Sequence, residues 1–175
     1  MMLSIVLLAS AAVALCESCH GPGGNATIPN TPSIAGQPAA FLENQLVFFR
    51  EGLRNAPVMQ AVAKEMKDEE ITEFARHFAA QKAKPVASSA MDAGLATKAV
   101  ELAKARHCGQ CHLPAYEGRA QMPRLAGQRE DYLADAMIGY RDGKRTGADT
   151  TMTEVLDGIS DADIRALAHY LSRME

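Results

Sequence analysis

Every cysteine in this chain belongs to a pair spaced by two residues, and each pair is followed at once by histidine. The two runs are Cys16-Glu17-Ser18-Cys19-His20 and Cys108-Gly109-Gln110-Cys111-His112. C-x-x-C-H is the attachment signal for c-type haem. One turn of chain brings both sulfurs to the two vinyl groups on one porphyrin edge, and the next residue turns its imidazole beneath the iron. The reading is therefore two covalently bound c-type haems, tethered by Cys16, Cys19, Cys108 and Cys111, with His20 and His112 on the irons. A zinc site would bring its two cysteine pairs within about 15–20 residues of each other; here they lie 92 apart. A dithiol redox pair would normally sit in a βαβ pattern, and none is visible. Because all the thiols are used in this way, a disulfide framework is also disfavoured.

The opposite face of each iron needs a ligand from elsewhere, and an internal repeat points to it. Cys16, Cys19 and His20 recur as Cys108, Cys111 and His112. Pro32-Ser33-Ile34-Ala35-Gly36-Gln37 recurs as Pro123-Arg124-Leu125-Ala126-Gly127-Gln128, and Phe49-Arg50-Glu51-Gly52 as Tyr140-Arg141-Asp142-Gly143. After a two-residue insertion, Met59, Asp68, Ile71 and Ala75 fall on Met152, Asp161, Ile164 and Ala168. A single methionine is more often core filler than ligand, but Met59 and Met152 occupy matching positions. Met66 falls on Ile159, which cannot ligate iron, and Met122 falls on Thr31. A bis-histidine alternative would use His77 or His169, which fall on Tyr170 and Arg76; these two imidazoles are expected on the exposed or capping side of the last helices. His107, beside Cys108, is too near in sequence to reach the far haem face. His/Met ligation raises a reduction potential relative to bis-His, so the expected device is a pair of six-coordinate, fairly high-potential centres.

These residues must be held by helices. Ile71, Phe74, Ala75 and Phe78 follow the i, i+3, i+4, i+7 spacing of a helix with one buried face, and Ile164, Leu167, Ala168 and Leu171 repeat it. Ser160 and Asp163 form a candidate cap for the second of these. Ala93 to His107 reads as a further helix. Others should follow each Gly-Gln and end near Gly52 and Gly143, where glycine can take the left-handed conformation. Arg50 and Arg141, matched beside those ends, read either as charges favoured by the helix dipole or as contacts to haem propionates. Pro32 and Pro123 read either as fixing the loop over each histidine or as ordinary turn formers. No strand alternation competes, so the fold class is all-α: two tandem domains of a few short helices, each wrapped around one haem. The division places a first domain at 1–81, a linker at 82–91 around Lys84-Pro85, and a second domain at 92–175. So small a domain has little side-chain core of its own, and a haem would supply one.

With 18 basic and 21 acidic residues and a net charge of −3, the chain lacks the basic excess of a nucleic-acid or anionic-membrane binder. No run reaches the roughly 18 to 20 apolar residues of a spanning helix. Residues 2–15 are apolar, with an A-x-A-like site at Ala12 and Ala14, yet no lysine or arginine precedes Arg50. Residues 1–15 therefore read as an export signal, as a first helix, or as the product of a start site placed too far downstream.

On these motifs the two halves resemble class I cytochrome c domains, and in tandem they resemble the dihaem cytochromes c of bacterial periplasms, the subclass-four type. The likeness runs from Cys16 to Arg173. It implies that Met59 and Met152 are the distal ligands and that the protein is a periplasmic electron carrier rather than an enzyme. Its expected partners are a quinol-oxidising complex and a terminal oxidase or other periplasmic acceptor. The alternative is the electron-transfer subunit of a larger dehydrogenase complex, for instance a flavoprotein sulfide or alcohol dehydrogenase. One departure from the pattern stands out: Leu113 follows His112 where Gly21 follows His20.

Overall fold

The computed structural model describes residues 13–86, 89–145 and 150–175. Of the segment 1–15, whose nature the sequence leaves open, residues 1–12 lie outside those described, and 13–15 open helix α1 at 13–20, which carries the first Cys/His run. The first half continues with a short 3₁₀ turn at Pro22–Gly24, then α2 (Ala39–Arg50), α3 (Pro57–Ala63) and α4 (Asp68–Ala79). The second half repeats the plan as α5 (Ala93–Ala105), α6 (Cys108–His112), α7 (Glu130–Arg141), α8 (Thr151–Val155) and α9 (Asp161–Leu171). Among the described residues the sole β feature is an isolated bridge between Arg119 and Met122.

The last helix of each half organises it. Acidic Asp68, Glu69 and Glu70 occupy the first turn of α4, where the helix dipole favours negative charge, and the Glu70 carboxylate accepts the Lys67 N–H at 2.8 Å. On α9 the expected cap is present, with Ser160 Oγ accepting the Asp163 N–H at 3.2 Å. The predicted apolar faces turn inward, burying Ile71, Ala75 and Phe78 on α4 and Ile164, Leu167, Ala168 and Leu171 on α9. Burial of each Ile, Leu or Phe side chain is worth about 1.5–3 kcal/mol. Helix α2 packs on α4 as α7 packs on α9, and α5 packs on α9 as well. Among the described residues, Leu42, Ala75 and Phe78 centre the core of the first half, and Leu133, Met137, Leu156, Ile159, Ile164, Leu167 and Leu171 with Tyr116 and several alanines that of the second.

Arg50 and Arg141 are spent on this scaffold. Arg50 Nη1 donates to the Met66 carbonyl at 3.0 Å and to Asp68 Oδ1 at 2.7 Å. Arg141 Nη1 does the same to Ile159 at 3.0 Å and to Asp161 at 2.6 Å. Each guanidinium thus ties the end of one helix to the start of the last one, and its place in the last turn of α2 or α7 is the one the dipole reading expects. His169 also departs from expectation. It is buried, 8% exposed, and its Nε2 accepts the Asp92 N–H at 2.9 Å, joining the start of α5 to α9.

The halves meet along a seam with local two-fold character. Gln37 Nε2 donates to the Arg124 carbonyl and Gln37 Oε1 accepts the Arg124 N–H, both at 2.9 Å. Gln128 makes the same pair of bonds to the backbone of Ser33, both at 2.8 Å. Ser33 and Arg124 are repeat partners, as are Gln37 and Gln128, so each half lends one buried amide side chain to the other half's backbone. Buried backbone groups left without such partners cost about 1–3 kcal/mol each. Gln128→Ala, which strips both bonds from Ser33, is expected to lower stability by about that amount. Guanidinium unfolding of the matured protein measures it, and an unchanged midpoint would show that the seam does not depend on this pair.

Candidate functional site

Helices α1 and α6 present the two Cys/His runs in the same way. Cys16 and Cys108 are half-buried against the cores of their respective halves, while Cys19 and Cys111 are exposed. No disulfide joins any of the four. Burial is the main cause that pushes the Cys16 and Cys108 thiols above their ordinary range.

The histidines decide what the sites can hold. His20 is 9% exposed and His112 is 4% exposed. His20 Nδ1 lies 2.8 Å from the Pro32 carbonyl and His112 Nδ1 lies 2.9 Å from the Pro123 carbonyl. A carbonyl can only accept, so Nδ1 carries the proton in both rings and Nε2 keeps its lone pair. Burial lowers the proton affinity of both imidazoles, partly offset by those same carbonyl bonds, and favours the neutral form that binds metal. The His112 Nε2 is buried with no hydrogen-bond partner, a cost that a native structure accepts where the atom has another use. A buried, unpartnered lone pair, one residue beyond two sulfurs a helical turn apart, suits the iron of a covalently tethered porphyrin. Among the described residues no group of three or more His, Cys, Asp and Glu gathers as a closed metal site would require. The prolines thus act through their carbonyl oxygens, a detail that the turn chemistry read from sequence only approached.

Met59 lies half-buried on α3 and Met152 half-buried on α8, packed against the second core. The rival Met66 sits in the turn before α4 with its carbonyl bonded to Arg50, the same post that Ile159 fills beside Arg141. Met122 stands in the Arg119–Met122 bridge. Sequence reasoning missed a further matched pair, Arg54 and Arg145, which converge on Tyr132 across the seam. Their signal was present two residues after Gly52 and Gly143, at the same spacing as the rest of the repeat.

Comparison with known proteins agrees with this geometry. The cytochrome c family model matches residues 96–175. Cytochrome c4 of Pseudomonas aeruginosa is 30% identical over 172 residues, covering 92% of this chain and 84% of the relative. The crystal structure of reduced recombinant cytochrome c4 from Pseudomonas stutzeri superposes with a TM-score of 0.86 at 29% identity, covering 96% of this chain and 97% of that one. This chain belongs to the cytochrome c4 family. It is accordingly a dihaem, c-type electron-transfer cytochrome of two tandem helical domains, and both attachment sequences of that family are present in it. A further relative, a thiosulfate dehydrogenase electron acceptor of Stutzerimonas stutzeri, is 30% identical over 176 residues, covering 95% of this chain and 82% of the relative.

Within this cytochrome c4 frame the two sites differ at one backbone position. Gly21, after His20, has φ 75° and ψ 167°; Leu113, after His112, has φ 68° and ψ 161°. That region is almost exclusive to glycine, and a side chain held there costs about 1–3 kcal/mol. Pro114 restricts Leu113 further. The missing glycine has therefore left the backbone path unchanged and placed strain directly behind the second histidine. Leu113→Gly is expected to stabilise the second half by about 1–3 kcal/mol, read as a higher thermal midpoint of the matured protein. A lower midpoint would mean that packing of the leucine outweighs its strain.

Proposed function

We propose that this chain is a soluble carrier that accepts and passes on single electrons through two six-coordinate haems. In this reading Cys16 and Cys19 tether the first haem and Cys108 and Cys111 the second, His20 and His112 are the proximal ligands, and Met59 and Met152 the distal ones. The observation that carries it is the duplicated imidazole geometry, two Nδ1–H groups spent on proline carbonyls with Nε2 free, combined with a methionine at the same place in each repeat. The domain division that goes with it is 1–81, a linker at 82–91, and 92–175.

When bound, each haem supplies one-electron storage at its iron. The chain's own residues set the terms of that storage. The Pro32 and Pro123 carbonyls fix ring orientation and raise imidazole basicity. Thioether ligands, being soft, favour the reduced metal and raise the potential relative to a second imidazole. With both faces of each iron filled there is no open position for substrate, which supports a carrier that is not itself an enzyme. The near balance of 18 basic and 21 acidic residues suits transient encounters with redox proteins rather than a permanent hold on a polyanion. A periplasmic setting between a quinol-oxidising complex and a terminal oxidase fits the family resemblance. Among the described residues no helix is long and apolar enough to cross a membrane.

A second reading has a specific observation behind it: the likeness to a thiosulfate dehydrogenase electron acceptor supports service as the acceptor partner of a dehydrogenase. The haem residues serve both roles equally, and copurification with a catalytic subunit separates them.

Protein matured with a c-type assembly system should give two c-type haems per chain by pyridine haemochrome. It should also show the far-red absorption of ferric haem bound by methionine, and no carbon monoxide binding when reduced. Met59→Ala and Met152→Ala should each remove about half of the far-red band, lower one of the two midpoint potentials, and open one haem to carbon monoxide. Retention of the full band in either variant would remove that methionine from the ligand set.

A further inference from the structure

After each histidine the two halves follow one backbone path, but they fill the space against it from different elements. The Gly24 carbonyl accepts the Ile34 and Ala35 N–H groups at 2.8 and 3.0 Å, and the Tyr116 carbonyl accepts those of their repeat partners, Leu125 and Ala126, at 2.8 and 3.1 Å. The Gly24 N–H donates to Gly21 at 2.8 Å, as the Tyr116 N–H donates to Leu113 at 3.0 Å. Both residues are left-handed, with φ 77° at Gly24 and 56° at Tyr116. Tyr116 therefore stands where the first half has Gly24.

A side chain at Gly24 has no room, because a Cβ there would lie 2.8 Å from Phe78 Cδ1 and 2.9 Å from Ile34 Cγ1. The Phe78 ring, delivered by α4, thus lies directly against the turn. Its repeat partner on α9 is the aliphatic Leu171, and in the second half the ring comes from the turn itself, as Tyr116. The neighbouring ring is matched as well. Phe78 meets His77 edge to face with centroids 4.9 Å apart, and Tyr116 meets Tyr170, the repeat partner of His77, edge to face at 6.4 Å. Each aromatic ring belongs to the core on which the first cysteine of its run packs, Phe78 with Cys16 and Tyr116 with Cys108.

The exchange conserves the ring and adds an oxygen on one side only. Tyr116 is 9% exposed, and Phe78, its counterpart beside Cys16, carries no hydroxyl. Burial is the first cause that holds the Tyr116 phenol above its usual range and so protonated; the Cys108 sulfur is near enough for its charge to act on the same group. The hydroxyl is thus a neutral dipole set into the core beside one attachment cysteine. A left-handed backbone is a strained place for any side chain but glycine, and such strain persists where the residue has a use. Oxidation leaves a haem iron with one more positive charge, which a polar neighbour stabilises better than hydrocarbon does.

We propose, resting on the assignment of Cys108 as a haem tether, that Tyr116 is a positioning residue for the redox reaction, its hydroxyl stabilising the ferric state of the second haem alone. The first haem, faced at the equivalent place by Phe78, has no such group. One consequence is that the second midpoint lies lower than it would with a hydrocarbon ring in that place.

The test is a spectroelectrochemical titration of matured Tyr116→Phe, which keeps the ring and removes the oxygen. One of the two midpoints should rise while the other stays at its wild-type value, and the one that rises should be the midpoint that Met152→Ala displaces. Tyr170→Phe, which removes the other phenol of the edge-to-face pair, should leave both midpoints in place. Two unmoved midpoints in Tyr116→Phe, a downward shift, a shift of the other haem, or an equal shift in Tyr170→Phe would each overturn the proposal. Haem stoichiometry by pyridine haemochrome is read in the same samples. Fewer than two haems in the wild-type protein is failure of the underlying haem reading, whereas two normal haems with unmoved potentials is failure of the Tyr116 role alone. Should Tyr116→Phe not mature, Tyr116→Leu removes the same oxygen and is held to the same outcome.

Discussion

The hydrogen bond from a histidine Nδ1–H to a proline carbonyl, made once in each half, sets the terms for everything around it. It fixes the tautomer and aims Nε2 away from the loop, while burial, against the pull of this same bond, favours the neutral imidazole. The loop that supplies the carbonyl must itself be held. Gly24, Ala35 and Gly36 in the first half, and Ala126 and Gly127 in the second, bring it against the last helix, with Gly36 N–H donating to Phe78 and Gly127 N–H to Leu171. The last helices are held in turn by the Arg50 and Arg141 clamps. A chain of short-range constraints thus runs from helix ends to the orientation of one ring.

Duplication explains why the halves fit together, and the departures from it explain why they are not equivalent. Symmetry appears in the crossed Gln37 and Gln128 bonds and in the stacking of Arg54 and Arg145 on matched aromatic rings. It breaks at Leu113, which keeps a glycine's dihedral angles under strain, and at Tyr132, whose hydroxyl has no counterpart on Phe41. These differences give the two attachment sites distinct surroundings within one fold.

Much of this was legible from residue types and spacing. The C-x-x-C-H runs named the cofactor because the spacing of two sulfurs and an imidazole is covalent chemistry confined to five residues. The last helices were visible because an apolar face at 3.6-residue period leaves a mark on sequence whatever it packs against. Less legible were side chains whose partners lie far along the chain. Arg50 and Arg141 were recognised as a pair, but not that their forks reach a carbonyl and a carboxylate at the start of another helix. His169 was expected at an exposed or capping position, and its burial depends on α5 crossing α9, a contact with no local signature.

The sequence alone therefore determined the duplicated architecture, the all-α class, the haem attachment and the short roster of possible iron ligands. All of these rest on local spacing or on agreement between two copies of one pattern. The tertiary structure decided which nitrogen of each histidine is free, which arginines are consumed by the scaffold, and which converge at the seam. Those outcomes depend on distances between residues up to about a hundred positions apart, such as Asn30 and Asp131, and only the packed chain brings them together.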